Sequence, residues 1–338
     1  MPMKTAELFL QREREVLSPF AFLTANTRGR QRPAEESPYR TEFQRDRDRI
    51  IHSKSFRRLM HKTQVFLAPV DEQFRTRMTH TLEVTQIARS IARALRLNED
   101  LTEAIAMGHD LGHTPFGHAG EEAMRLCYDP EFAHYKQSLR VVDFLEKNGQ
   151  GLNLTFEVRD GILNHTGDNM AQTLEGVVVK YADRIAYVNH DLDDAFFAGI
   201  LSKNDIPKPL SPFFAAEYST RVDTMVNAVI EASMDQPEIG MIPEIGEAME
   251  EMRAFLGKHV YKNSPAKYEE SKSVELLCRL FEYYVKHPEE LPAFYREHME
   301  AEGVERMVCD YISGMTDRFA IATYRTLFIP EVWKGKGL

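Results

Sequence analysis

Apolar residues recur at helical spacing along almost the whole chain, and alternating strand patterns are scarce. Between Met78 and Leu95 they fall at Val84, Ile87, Ala88, Ile91 and Leu95, the spacing of a helix with one buried face. Asn98–Glu99–Asp100 caps a second predicted helix that runs through Ile105 and Met107 to His109–Asp110. Gly112, Pro115 and Gly117 interrupt it. Further helices are predicted over His118–Cys127, His134–Lys147 and Leu174–Ala198, then with connecting loops from Phe213 to Tyr324. "KTQVFLAPV" is the best candidate for a short β-hairpin. The expected class is an all-α bundle.

At 338 residues the chain can bury a sizeable core without staples. Its 43% hydrophobic and 28% charged residues read as a soluble globular protein. Cys127, Cys278 and Cys309 show no paired spacing, which speaks against a disulfide framework or Cys-rich zinc site and for a reducing compartment. "MPMKTAELFLQRERE" lacks an apolar run followed by a cleavage site, and no stretch reaches the ~18 apolar residues of a membrane span. A cytoplasmic location without a membrane partner is therefore expected. The net charge of −10 disfavours broad nucleic-acid binding. The charge is uneven, however: from Arg28 to Lys62 eleven Lys and Arg face five acids. Such a run suits a polyanionic ligand. Alternating surface ion pairs explain "QRDRDR" as simply, and on this feature alone they are slightly preferred. No clean domain boundary shows. Thr24–Pro38 has the composition of a mobile loop, so the chain divides into an N-terminal segment 1–38, a core 39–200 and a helical part 201–338.

The stretch "GHDLGHTPFGHAGEEAM" crowds His109, Asp110, His113, His118 and Glu121 around a Pro–Gly break. His80 lies four residues before Val84 and continues the buried stripe of its helix. An inward His is more often a satisfied core residue than a ligand. His109–Asp110 ends the next helix where the chain breaks, so both can reach one ion. On the helix from Leu174, Val177, Tyr181, Ile185, Val188 and Leu192 form one face, and Asp183, Tyr187, His190, Asp191 and Asp194 the opposite one. A solvated face usually carries Lys, Glu and Arg; short acids, His and Tyr suit coordination. Two imidazoles and two carboxylates make a mixed nitrogen and oxygen donor set for Zn, Fe, Mn, Co or Mg. The pattern is a His, then His–Asp 29 positions later, then Asp 73 positions after that, all on helices. That is a far stronger signal than "HD" alone.

These motifs resemble those of HD-domain proteins, specifically the dGTPase-like deoxynucleoside triphosphate triphosphohydrolases. The resemblance is close from Tyr39 to Asp194, through "YRTEFQRDRDRIIHSKSFRRLMHKTQVF", "RTRMTHTLEV", "GHDLGHTPFGHAGEEA", "FAHYKQSLRVV" and "KYADRIAYVNHDLDDA". It resumes more loosely at "CDYISGMTDRFA". It implies an all-α HD-domain bundle around one divalent metal ion (Mg, Mn, Co, Fe or Zn), with a helical C-terminal part completing the nucleotide pocket and oligomer contacts. The implied reaction is hydrolysis of a dNTP to deoxynucleoside and inorganic triphosphate by in-line attack of metal-activated water on the α-phosphorus. By motif position His80, His109, Asp110 and Asp183 would be the metal ligands. His118 and Glu121 would be a catalytic pair on one helix face, the carboxylate fixing the tautomer and raising the imidazole pKa. His134, in "HYKQS", resembles a second active-site His, and either imidazole could protonate the leaving 5′ oxygen. His113 is read as structural, bonding the turn's backbone.

For the substrate, Arg77 matches a phosphate contact. Tyr187 and Asp191 match positions that pack on the sugar and hold its 3′-OH, with Tyr187 excluding a 2′-OH. Gln64 matches a residue near the same hydroxyl. Arg57, Arg58 and Lys62 then tilt towards triphosphate or effector binding, and Asp310, Asp317 and Tyr324 are candidates for lining the base pocket. The resemblance implies a homo-oligomer, tetramer or hexamer, with a dNTP substrate; a dNTP effector and single-stranded DNA stay open as partners. Two other readings compete. One is an HD phosphodiesterase or 5′-nucleotidase, against which "KTQV" and "YADRIAYVNHD" speak. The other is a nucleotide-sensing or single-stranded-DNA-binding protein with weak turnover.

Overall fold

The computed structural model describes residues 5–64, 74–261 and 266–330, with the backbone alone for 261 and 266–268. Among them, every regular element is helical. The first half carries α1 (Thr5–Val16), α2 (Glu42–Ile51), α3 (Lys54–Arg58), α4 (Arg77–Ala94), α5 (Glu99–Gly108), α6 (His118–Cys127), α7 (His134–Arg140) and α8 (Phe156–Asn164). The second carries α9 (Leu174–Phe197), α10 (Ser211–Phe214), α11 (Tyr218–Ser233), α12 (Pro243–Leu256), α13 (Ala266–Lys286), α14 (Ala293–Glu302), α15 (Val304–Ser313) and α16 (Asp317–Phe328). The hairpin expected in "KTQVFLAPV" falls mostly outside the described residues; at its base Thr63 forms an isolated antiparallel bridge with Thr76. No helix among the described residues is long and apolar enough to cross a membrane.

Local chemistry sets the helix starts. Thr76 opens α4 with a capping box to Thr79, and the Asn98 side chain accepts from Leu101 N to open α5. The helix expected over His134–Lys147 stays α-helical only to Arg140; a π turn then covers Val141–Leu145, followed by left-handed backbone at Lys147, Asn148 and Gly149.

One apolar core joins α2, α4, α5, α8 and α9, and it also takes in residues from Ile206 to Val260 on and beside α11 and α12. A second core forms where α13, α15 and α16 close over α6. α9 runs through the first core against α4, α5, α8, α11 and α12. Both of its faces are therefore enclosed: Val177, Ile185, Val188 and Leu192 on one side, and His190, Asp191 and Asp194 on the other. The short-acid face is not the wet side of a surface helix.

Four cations of the basic N-terminal run, Arg30, Arg40, Arg45 and Arg47, are held in ion pairs. Arg30 meets Glu42 and Asp46, Arg40 meets Asp48 at 2.7 Å, and Arg47 meets Glu103 at 3.0 Å. The 24–38 loop is pinned through Thr27 and Arg28 to Glu157 and through Arg30 to the Asn153 carbonyl.

Glu175, in the first turn of α9, ties that helix to two neighbours. Its Oε1 accepts from Phe22 N at 2.9 Å and from Asn98 N at 3.0 Å. Burial pushes its pKa up from 4.5 to about 7, against the lowering effect of those two N–H groups. The folded state thus holds this proton more tightly than the unfolded chain. The resulting stability is fully present below pH 4.5 and is lost as pH rises through 7, at about 1.4 kcal/mol per unit and at most about 3 kcal/mol in all. Thermal melts between pH 5 and pH 8 should therefore fall more steeply for the native chain than for Glu175→Gln. Parallel curves would remove Glu175 as the source.

Candidate active site

The site is assembled where α5 ends and α6 begins. His109 is the C-cap of α5, Asp110 follows it, and α6 starts at His118. Between them the chain must pass under α7. A Cβ on Gly112 would lie 2.1 Å from Ser138 N and 2.3 Å from the Gln137 carbonyl carbon, so only glycine lets α7 press this close. The Ser138 hydroxyl locks the approach, accepting from Gly112 N at 2.9 Å and donating to the His109 carbonyl at 2.7 Å. Gly117, at φ 56° and ψ −122°, turns the chain into α6.

His80 from α4, His109 and Asp110 from the turn, and Asp183 from α9 converge on one point. His80 Nε2 lies 3.1 Å from Asp183 Oδ1 and 3.9 Å from Asp110 Oδ2. His109 Nε2 lies 3.5 Å from Asp110 Oδ1 and 3.9 Å from Asp183 Oδ1. Burial works to raise both carboxyl pKa values, but the neighbouring positive charge outweighs it. His109, Arg77, His113 and His80 hold Asp110 well below the carboxylate range, and His80 at 3.1 Å with the charge of His109 does the same for Asp183.

The donor set fits a divalent cation. His109 Nδ1 donates to the Ala106 carbonyl at 2.6 Å, which fixes the ring and leaves Nε2 as a lone pair. That Nε2 is buried and makes no hydrogen bond, although it faces two carboxylates. A buried, unsatisfied lone pair is costly in a protein without a ligand to meet it. His80, His109 and Asp110 each present a ligand atom within 4.8 Å of the others.

A second group of imidazoles stands beside this centre. Glu121 accepts from His134 Nδ1 at 3.2 Å and from Arg125 at 2.6 Å. The His113 ring stacks on His134 at 4.1 Å, with its Nε2 3.5 Å from Asp110 Oδ1. His113 is thus a packing partner of the site rather than a side chain bonded to the turn's backbone. His118 projects into the cavity, exposed to its interior though protein surrounds it. Desolvation lowers its pKa, and the charge of Arg77 outweighs that of Glu121. The expected upward shift on His118 is therefore reversed, and the carboxylate of Glu121 is engaged by His134.

His80, Asp110, His113, His118, His134 and Asp183 line a cavity of about 760 Å³ that also reaches Gln64, Arg77, Tyr187 and Asp191, while His109 and Glu121 are not part of its lining. Arg77 is almost fully buried. Its guanidinium donates to Asp110 at 2.9 Å, to the Thr63 carbonyl at 3.2 Å and to the Gln64 carbonyl at 3.4 Å, so each nitrogen of its fork already has a protein partner. Burial, with Asp194 and Asp183 nearby, raises the Asp191 pKa well above the carboxylate range. Sequence reasoning missed Arg253, Lys258 and Glu270, which reach the same cavity from α12, the turn after it, and α13. Nothing in their local sequence marks them. It also missed His165, whose ring stands edge-on to His109 at 5.0 Å.

Four other expectations change. Asp310 is fully buried and binds Gln137, Arg140 and Arg306. Asp317 accepts from Thr63 N and Phe116 N, both at 2.9 Å, and so braces both walls of the site from outside. Tyr324 accepts from Arg279 at 3.3 Å, and none of the three lines the cavity. Lys62 is buried between the carbonyls of His113 and Ser313, a strut between the turn and α15 rather than a free cation.

Residues 77–188 match the HD domain, and residues 239–326 the phosphohydrolase-associated domain. A deoxyguanosinetriphosphate triphosphohydrolase-like protein of Caldanaerobacter subterraneus subsp. tengcongensis is 52% identical over 331 residues, 98% of each chain. Another, from Desulfatibacillum aliphaticivorans, is 46% identical over 97% of this chain and 99% of its own. A solved phosphohydrolase from Bacteroides thetaiotaomicron shares the fold at TM-score 0.50 and 17% identity, over 81% of this chain and 66% of that one. With 52% of aligned residues identical to such a relative over nearly its full length, the chain belongs to the deoxyguanosinetriphosphate triphosphohydrolase-like family of HD-domain proteins.

Proposed function

We propose that the protein hydrolyses deoxynucleoside triphosphates to deoxynucleoside and inorganic triphosphate, in the cytosol. The observation that carries this reading is one cavity that brings a His and Asp cluster, a carboxylate-bound imidazole and added cations together. His80, His109, Asp110 and Asp183 would hold a divalent cation. When bound, such an ion supplies an acidified water and withdraws charge from phosphorus. Arg253 and Lys258 face the phosphate tail, and Arg77 orients Asp110 and lines the cavity where the phosphates would lie. Tyr187 crowds the sugar at C2′ and favours deoxyribose. Asp191, whose pKa is raised by burial, and Gln64 bond the 3′-OH.

Water attacks the α-phosphorus, and the bond from phosphorus to the 5′ oxygen breaks. That oxygen needs a proton. Glu121 accepts the Nδ1 proton of His134 and orients the ring, leaving Nε2 to give or take a proton. His118, with its lowered pKa, is uncharged near neutral pH and serves as a hydrogen-bond partner.

The test is incubation with each dNTP, alone and mixed, with Mg, Mn or Co. Inorganic triphosphate and deoxynucleoside are the expected products, and activation by a second nucleotide would show as turnover of the mixture above the sum. Release of monophosphate, or hydrolysis of cyclic or monophosphorylated nucleotides alone, would support the phosphodiesterase or nucleotidase reading instead.

A further inference from the structure

His80 is held from behind by a chain of side chains with no part in the reaction described above. Its Nδ1 lies 3.3 Å from His190 Nδ1, and His190 Nε2 meets Glu83 Oε2. Glu83 sits three residues after His80 on α4, and its side chain is 38% exposed. It is itself held by the Tyr218 hydroxyl at 3.2 Å and by Arg75 at 3.4 Å. His190 is fully buried from α9, stacked on the Tyr218 ring. The chain thus runs from the surface, across α4, α9 and α11, to the back of one proposed ligand.

We infer that Glu83 and His190 are positioning residues that fix the tautomer of His80 for cation binding. The inference rests on the function proposed above. A carboxylate at Glu83 can only accept, so it places the His190 proton on Nε2. His190 Nδ1 is then a lone pair, and it accepts from His80 Nδ1–H. His80 Nε2 is left bare. It lies 3.1 Å from Asp183 Oδ1 and 3.9 Å from Asp110 Oδ2, carboxylate oxygens that a bare nitrogen cannot hydrogen-bond; only the opposite tautomer, with Nε2 protonated, would donate to Asp183. Only a cation satisfies such an arrangement. His109 reaches the same state more simply, through the Ala106 carbonyl. Both imidazoles are therefore set with Nε2 open toward the same point by partners behind them. Such partners typically contribute 10–100-fold to metal affinity.

The experiment titrates Co²⁺ or Mn²⁺ into metal-free protein, with chelator competition, for the native chain, His190→Leu and Glu83→Gln. Because Glu83 is half-exposed, Glu83→Gln keeps the fold even where His190→Leu does not. Cation affinity is expected to weaken ~10–100-fold in His190→Leu and roughly tenfold in Glu83→Gln. Turnover at saturating cation should return close to the native value in Glu83→Gln, since His80 itself remains. Nitrogen-15 spectra of labelled histidine in the metal-free native chain should show His80 as the Nδ1–H tautomer, and a mixture of tautomers in Glu83→Gln. Native protein that binds one cation while both variants bind it within twofold overturns the inference alone. Native protein that binds no divalent cation overturns the inference and the proposed function together.

Discussion

Asp110→Asn is expected to strip the divalent cation and to lower kcat/KM by at least about three orders of magnitude, some 4 kcal/mol of transition-state stabilisation. Asp110 is the anion that faces one buried guanidinium and three imidazoles. Arg77 lies 2.9 Å away, His109 and His113 each 3.5 Å, and His80 3.9 Å. Asparagine keeps the volume and one acceptor but no charge. Arg77 would then be buried without its counter-ion, at a cost of about 3–5 kcal/mol for a broken buried pair. Loss of activity could therefore reflect unfolding, and the test must separate the two. Circular dichroism and a melt establish the folded fraction; metal content and triphosphate release are then measured on that fraction. Asp183→Asn is the companion variant, because its side chain is 17% exposed and no arginine among the described residues ion-pairs with it. It should lose cation and turnover with a smaller effect on stability. Folded Asp110→Asn that retains one tightly bound cation and native turnover would show that the centre lies elsewhere.

Much of this site was legible because its parts lie on single helices with strong local signals. The bounds of α4, α5, α6 and α9 follow from apolar spacing, the Asn98 cap and the glycine and proline breaks, and they place His80, His109, Asp110 and Asp183 at inward or terminal positions. What the sequence hides is who meets whom. Spacing puts Glu121 and His118 on one face of α6, yet Glu121 hydrogen-bonds His134, thirteen residues away across a loop. The polar face of α9 looks like a surface or a ligand face, but whether it is enclosed depends on α11, which packs there from later in the chain. Asp310 and Asp317 read as candidates for the base pocket from the stretch "DYISGMTDRFAIATY" that carries them. Their arginine and backbone partners are contributed by α7, α15 and the turns beside the site, which no local pattern announces. Arg253 and Lys258 are the converse: ordinary surface letters that the fold brings to the cavity.

The same difference between local spacing and actual contact decides which imidazole moves the proton. His134→Ala should keep the cation and lose about 10²–10⁴-fold in kcat, the usual range for a general acid or base. His118→Ala should also keep the cation and lose most turnover, because His118 faces the cavity, but the two losses differ in pH dependence. A general acid must be protonated, so its removal abolishes the alkaline fall of kcat. Desolvation, with the charge of Arg77, keeps His118 uncharged at neutral pH; it has no proton to lose there, and its removal lowers the plateau without altering that fall. Glu121→Gln frees the His134 ring and should behave as a weaker version of His134→Ala, with Arg125 losing its partner as well. The decisive measurement is kcat against pH for the three variants at saturating cation. Should the alkaline limb vanish in His118→Ala and persist in His134→Ala, the proton comes from α6 after all. Glu121 would then act through the helix face it shares with His118, and not through the hydrogen bond it makes to His134.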